Sequence, residues 1–247
     1  MSLDPGIDAQ RTDGDRLAAA ARSILACPAE VELVVDGIDD LGAEIDDLEM
    51  REDAGRPSFS CATDAALAVA ATDRRGALVT LRSGLGRPGS PDRDAVLTLS
   101  GRLSATGMAP CECCSEVRMQ VGLDLDFALL SRVSVASTPA RPDRFRVPLA
   151  AFHSPAHDLN RGFLQRSVEH ANSCHATELR HAVATRTATR PGEIVGVQVR
   201  ALRPDAVVLQ WVDGDGGHQS VLSFPRAARS RADLGDLLRD QLHAGMC

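Results

Sequence analysis

The stretch Ala95-Val-Leu-Thr-Leu-Ser-Gly-Arg-Leu103 alternates between apolar and polar side chains. This alternation predicts a half-buried β-strand, because successive side chains of a strand point to opposite faces. Turn signals such as Asp36-Gly37 and Ala54-Gly55 separate similar short runs on both sides of it. We predict further strands over residues 30–35, 42–50, 57–62, 66–72, 77–82, 133–136 and 144–147. Short strands spaced by turns indicate a closed or partly closed antiparallel barrel.

The pattern changes to helices and a hairpin after Pro155. Apolar residues and His175 step by three or four along 158–185, which predicts one long helix. Strands are predicted over 195–202, 206–212 and 220–224, followed by a helix over 232–243. Another helix is predicted over 14–26, where acidic residues precede the apolar spacing. The fold class is therefore α+β, with a split barrel over 10–155 and a C-terminal α/β cap over 156–247.

Composition excludes several function classes. All 27 basic residues are arginine, and the chain contains no lysine and no tyrosine. Without lysine there is neither a pyridoxal Schiff base nor a Walker phosphate loop. The net charge of -7 argues against a general nucleic-acid binder, because such binding depends on concentrated positive charge.

The sequence also predicts a cytoplasmic protein. Its longest apolar run, residues 65–71, is far shorter than the ~20 residues that a membrane helix requires. The first residues are acidic and lack the apolar core of a signal peptide. We therefore expect no membrane span, and we expect the seven cysteines to be reduced thiols.

Two motifs are weak candidates for binding sites. Gly84-Leu-Gly86-Arg-Pro-Gly89 matches a dinucleotide fingerprint, but Pro88 and Pro91 block the helix that should follow it. The thiols of Cys111, Cys113 and Cys114 could hold a soft metal, yet no second ligand pair follows at a suitable distance. We expect a surface loop at the first motif and no stoichiometric zinc at the second.

Five of the seven histidines lie between residues 153 and 181. On one continuous helix, His170 and His175 would be about 140° apart around the axis. The sequence therefore predicts that these two side chains cannot ligate one metal ion.

The stretch His170-Ala-Asn172-Ser-Cys174-His175-Ala-Thr-Glu-Leu179 resembles a family signature. The similar pattern, His-x-Asn-x-Asp-His-x-x-x-Leu, opens the small C-terminal domain of HugZ-like haem-utilisation proteins; here Cys174 replaces the acid. The later strands, the Phe224-Pro225 step and the last helix resemble the same domain. The first part of the chain is similar in element order to the pyridoxamine-phosphate-oxidase-like split barrel, including the Ser100-Gly101 step.

This resemblance implies a homodimer that binds haem or a related tetrapyrrole and either cleaves the ring or carries it. The candidates for the axial ligand are His175 and His243, and His175 has the alternative role of a buried structural residue. The family also implies FMN as an alternative cofactor of an oxidoreductase. Its phosphate would then be held by four arginines, Arg74, Arg75, Arg82 and Arg102. A third interpretation is a cofactor-free interaction or regulatory module, so the sequence does not decide whether the protein is an enzyme.

Overall fold

The computed structural model describes residues 5–39, 41, 50–87, 93–110, 116–133 and 142–242. The chain divides into two compact units, Met1–Gly162 and Phe163–Cys247. The first unit contains a curled seven-stranded antiparallel sheet, and the second contains a three-stranded antiparallel sheet with helices. The predicted α+β class, with a split barrel followed by a C-terminal α/β unit, is confirmed.

The large sheet has the strand order β1-β4-β5-β6-β3-β2, and β7 pairs with β6. Its strands are β1 Pro28–Val35, β2 Met50–Asp53, β3 Arg56–Cys61, β4 Gly76–Ser83, β5 Val96–Pro110, β6 Val117–Val133 and β7 Pro142–Arg146. Side chains of β3 and β4 alternate between buried and accessible positions, as period-two patterning requires. Most of the predicted barrel strands correspond to observed ones, whereas residues 42–49 and 134–136 lie outside the described part of the chain.

The long strand β6 was not predicted, although it is central to the sheet. It pairs with β5 from Val96 opposite Ser131 to Pro110 opposite Val117. A bulge interrupts this pairing between Ser100 and Gly101. A Cβ atom on Gly101 would lie 2.0 Å from the carbonyl oxygen of Asp124, so only glycine fits there.

Among its described residues, the N-terminal unit has the α-helices α1 Pro5–Ala26, α2 Ala66–Thr72 and α3 Leu149–Phe152. The prediction of a strand over 66–72 is wrong, because this segment is helical. It is rich in alanine, which favours a helix, and it buries Leu67, Ala68, Ala70 and Ala71. Helix α1 buries Ala18, Ala21, Ile24 and Leu25 in the core of this unit.

The C-terminal unit contains helices α4 Arg161–Cys174, α5 Ala176–Thr187 and α6 Arg231–Leu242, of which α4 begins in the first unit. Its sheet has the order β10-β9-β8, formed by β8 Gly196–Arg203, β9 Ala206–Asp213 and β10 Gly216–Ser223. The prediction of one helix over 158–185 is wrong. His175 leaves the helical conformation, with φ -121° and ψ 27°, and separates α4 from α5. Within the described residues, no helix is long and apolar enough to cross a membrane.

Candidate functional site

A cavity of about 590 Å³ lies beside helix α1 in the N-terminal unit. We call it the α1 cavity. Its volume falls within the range of about 300–1,000 Å³ that is usual for cofactor and small-molecule sites. Its apolar wall consists of small and aliphatic side chains: Ala19, Ala20, Ile24, Leu85, Ala95 and Leu159.

The polar wall of the α1 cavity comes from the segment after β7 and from the end of β6. The polar residues that line the cavity are Arg132, His157, Asn160 and Arg161, together with Ser23 of α1. The Asn160 side-chain amide donates a hydrogen bond of 2.9 Å to the His157 carbonyl oxygen, which closes the turn. Two cationic guanidinium groups, an imidazole and an amide therefore border an otherwise apolar space.

Glycine is required where this segment meets α1. A Cβ atom on Gly162 would lie 1.9 Å from the carbonyl oxygen of Ser23, which is far inside any contact distance. Because glycine lacks that atom, residues 156–161 can approach the helix backbone closely.

A fully buried arginine fixes the same segment. The Arg22 guanidinium donates one hydrogen bond of 3.0 Å to the Phe152 carbonyl oxygen and another of 3.0 Å to Asp158 Oδ1. Its Nη2 atom also lies 3.7 Å from Glu52 Oε2. Arg22 thus connects α1 with strand β2 and with the chain on both sides of His157.

His157 has an unusual environment for a surface-segment histidine. Its Nε2 atom is shielded from solvent, and no hydrogen-bond partner for it lies among the described residues. Burial lowers the pKa of His157 below its ordinary value of 6.5, and the nearby positive charge of Arg22 lowers it further. The imidazole is therefore neutral at pH 7, the form in which histidine binds a metal.

The structure separates the four predicted phosphate-binding arginines. Arg74, Arg75 and Arg102 lie together, since Arg102 Nη1 is 3.5 Å from the Arg74 carbonyl oxygen and the Leu103 amide bonds to the Arg75 carbonyl oxygen. Arg82 lies at the other end of β4, about 20 Å away at 3.3 Å per residue. None of the four lines the α1 cavity.

Three of these arginines form ion pairs within the protein. Arg74 contacts Asp124 at 3.2 Å, Arg75 contacts Asp73 at 3.1 Å, and Arg82 contacts Glu30 at 3.0 Å. These pairs are exposed or half-exposed, so an anionic ligand could compete for the guanidinium groups at small cost. Their role as a phosphate site stays a prediction.

The family-like signature around His175 lies in the C-terminal unit, where much of it stabilises the fold. The Asn172 side chain makes two hydrogen bonds with the Val199 backbone: its amide donates to the carbonyl oxygen at 2.9 Å, and its oxygen accepts from the amide at 2.7 Å. His175 is buried, with 6% of its surface exposed, and its Nε2 atom lies 3.3 Å from His170 Nε2. Asn172 therefore joins this helix to the sheet through two hydrogen bonds.

The prediction that His170 and His175 cannot ligate one metal ion assumed one continuous helix. That assumption is wrong, because the helix breaks at His175 and the two Nε2 atoms lie 3.3 Å apart. His243 and the three clustered cysteines, Cys111, Cys113 and Cys114, lie outside the described residues, so their predicted roles stay predictions.

Sequence reasoning missed His157 as a site residue. The sequence signal for His157 was its place in the histidine-rich region that begins at His153. It lies two residues after Pro155. What distinguishes it is the tertiary packing of Gly162 on Ser23, which no local pattern reveals.

Comparisons with known proteins give only weak likenesses. No family model and no curated protein matches the chain. A solved structure described as a heme binding protein from Mycobacterium smegmatis is similar at a TM-score of 0.37 and 13% identity, covering 92% of this chain and 98% of its own. A protein of unknown function from Agrobacterium tumefaciens gives a TM-score of 0.37 and 16% identity over 91% of this chain and 94% of its own. Likenesses of this size identify no ligand for this chain, and the resemblance to HugZ-like proteins stays a sequence-based prediction.

Proposed function

We propose that this protein binds haem or a related tetrapyrrole in the α1 cavity. The observation that carries the proposal is the lining of that cavity, which combines apolar side chains with His157, Arg132 and Arg161. The sequence resemblance to haem-utilisation proteins supports the same ligand class. A tetrapyrrole presents a flat apolar ring with carboxylates at one edge, and this lining is complementary to both parts.

Each wall would contact a different part of the ligand. The alanine and leucine side chains of the apolar wall would cover the ring and exclude water from it. The guanidinium groups of Arg132 and Arg161 would pair with the propionates, because a planar guanidinium binds a carboxylate through two parallel hydrogen bonds.

We assign the axial position to His157. Because its pKa is lowered, the ring keeps an unprotonated nitrogen at neutral pH. In the structure Nε2 is covered, so the ring has to turn before that nitrogen reaches the cavity. Bound haem iron would supply ligand binding or oxygen activation, while the chain holds the ring and limits access of water.

Titration with haemin tests the proposal. The parent protein should develop a Soret band with a sharp one-to-one endpoint, and His157→Ala should shift or lose this band. His153→Ala is the matched control: His153 is exposed, lies four residues earlier and does not line the cavity, so this variant should bind like the parent. Arg132→Ala should weaken binding and leave the band position unchanged.

Other outcomes identify the alternatives. Loss of the band in His175→Ala or His243→Ala, with His157→Ala unaffected, would move the ligand to those residues. Co-purification or tight binding of FMN, without a haemin endpoint, would favour a flavin-dependent oxidoreductase. Loose binding of both cofactors would refute the proposal and leave a cofactor-free interaction module.

A homodimer is part of the proposal, and the outer face of the large sheet supports it. Directly paired residues cross this face in two rows: Val34-Leu78-Ser100-Phe127 and Glu32-Thr80-Thr98-Leu129-Arg146. Glu32 lies at the β1 end of the second row and Arg146 at its β7 end, and Leu78, Phe127 and Leu129 lie between the two edges. A two-fold axis would set Glu32 of one copy against Arg146 of the other. Sedimentation should show a dimer for the parent and a monomer for Thr98→Arg; a monomeric parent would refute this part of the proposal.

A further inference from the structure

The break between α4 and α5 brings two histidine side chains together in the C-terminal unit. His175 Nε2 and His170 Nε2 are 3.3 Å apart, and the ring planes are inclined by 75°. His175 is buried, whereas His170 is exposed. His175 is thus held in place by the fold, whereas His170 is accessible to solvent.

The two nitrogens lie 3.3 Å apart, a separation that a hydrogen bond permits and that a shared tetrahedral metal ion requires. Two nitrogens bound to one tetrahedral zinc ion at about 2.0–2.1 Å lie about 3.3–3.4 Å apart. Adjacent nitrogens in a square-planar or octahedral site would be only about 2.8–3.0 Å apart. The observed distance agrees with the tetrahedral geometry.

The distance between the two ring centroids also agrees with tetrahedral coordination. If the two ring axes converged on one tetrahedral ion, the ring centroids would be about 5.2 Å apart, allowing about 1.1–1.2 Å from centroid to nitrogen. The centroids are in fact 5.1 Å apart.

We propose that His170 and His175 form a zinc-binding site through their Nε2 atoms. This site is separate from the α1 cavity and does not depend on the function proposed for it. Both rings would bind zinc through an unprotonated Nε2 atom, with the remaining ring proton on Nδ1.

Water completes the coordination of the ion. Within the described parts of the chain, no group of three or more histidine, cysteine, aspartate or glutamate side chains is placed to hold a metal. The neighbouring Cys174 thiol lies 3.5 Å from the Ser173 hydroxyl and is not needed as a ligand. With two protein ligands, zinc exchanges readily and leaves coordination positions open to exogenous ligands.

Calorimetric titration of the untagged full-length protein with zinc chloride tests the site. The parent should bind one zinc ion per chain, and His170→Ala should bind at least about tenfold more weakly, the smallest loss expected even for a supporting residue. His170 is exposed, so this variant should keep its fold, which circular dichroism would verify. His181→Ala is the matched control, because His181 is also an exposed helical histidine and makes no contact with the pair.

Cobalt substitution supplies an independent readout. Cobalt in the parent should show the intense visible absorption of a tetrahedral ion, and His170→Ala should lose it. Cys174→Ser should retain both zinc binding and the cobalt spectrum. The proposal is overturned if the parent binds no zinc at millimolar concentration, if His170→Ala binds like the parent, or if Cys174→Ser abolishes binding.

Discussion

Replacement of Arg22 by methionine removes the buried guanidinium that holds the polar wall of the α1 cavity. The methionine side chain fills similar apolar space but cannot donate to Phe152 or Asp158. It also removes the positive charge that lies 3.7 Å from the Glu52 carboxylate, whose side chain is 6% exposed. Removal of one partner from a buried ion pair usually costs about 3–5 kcal/mol. Because the Asp158 side chain is 29% exposed and can regain water, we expect about 3 kcal/mol.

A loss of that size is measurable by thermal melting. For a domain of this size, 1 kcal/mol shifts the Tm by about 2–4 °C, so the variant should melt about 6–12 °C below the parent. The double variant Arg22→Met with Glu52→Gln should recover part of the loss, because a neutral amide then replaces the buried carboxylate that has lost the Arg22 charge. If Arg22→Met melts within about 1 °C of the parent, the buried pair does not stabilise this unit and the reasoning is wrong.

Three further predictions concern the same two units. Gly162→Ala should lower the Tm and weaken haemin binding, because the new methyl group would overlap the Ser23 carbonyl oxygen; unchanged melting would contradict the close packing. His175→Ala should lose about 1–3 kcal/mol of unfolding free energy in urea, as expected when a buried polar contact is removed; a parent-like midpoint would instead favour a pure ligand role. Since the pKa of His157 is lowered in the folded state, the unfolded chain binds the proton more readily, and stability should fall as the pH drops from 6.5 towards that lowered pKa. Urea titrations at several pH values should show this decline in the parent and a smaller one in His157→Gln.

The barrel could be predicted because its strands carry period-two alternation. The same signal exists in β6, where apolar residues alternate with polar residues and glycine over 121–126. The sequence therefore contains enough information to predict this strand. Helix α2 is a different case. Its run of alanine and leucine has no clear period, and alanine's helical preference decided the structure.

The grouping of the arginines depended on strand register. Arg74, Arg75 and Arg82 are close in sequence, yet β4 carries Arg82 to the opposite end of the sheet. Arg102, distant in sequence, returns beside Arg74 because it pairs with Gly76. A sequence pattern identifies the residue type, whereas antiparallel pairing decides which residues meet.

The histidine pair shows why a correct periodicity can still misjudge how close two side chains lie. Apolar spacing continues through Ala171, His175 and Leu179 as if the helix were unbroken, and Leu179 is indeed buried. The backbone still bonds across the break, from the His175 amide to the Ala171 carbonyl oxygen at 3.0 Å, so the apolar face is preserved. What changes is the direction of the His175 side chain, which follows from its non-helical backbone angles. Periodicity describes the average path of a helix. The positions of two metal-binding atoms must instead be correct to a few tenths of an ångström. A single residue with non-helical backbone angles is enough to bring two such atoms together.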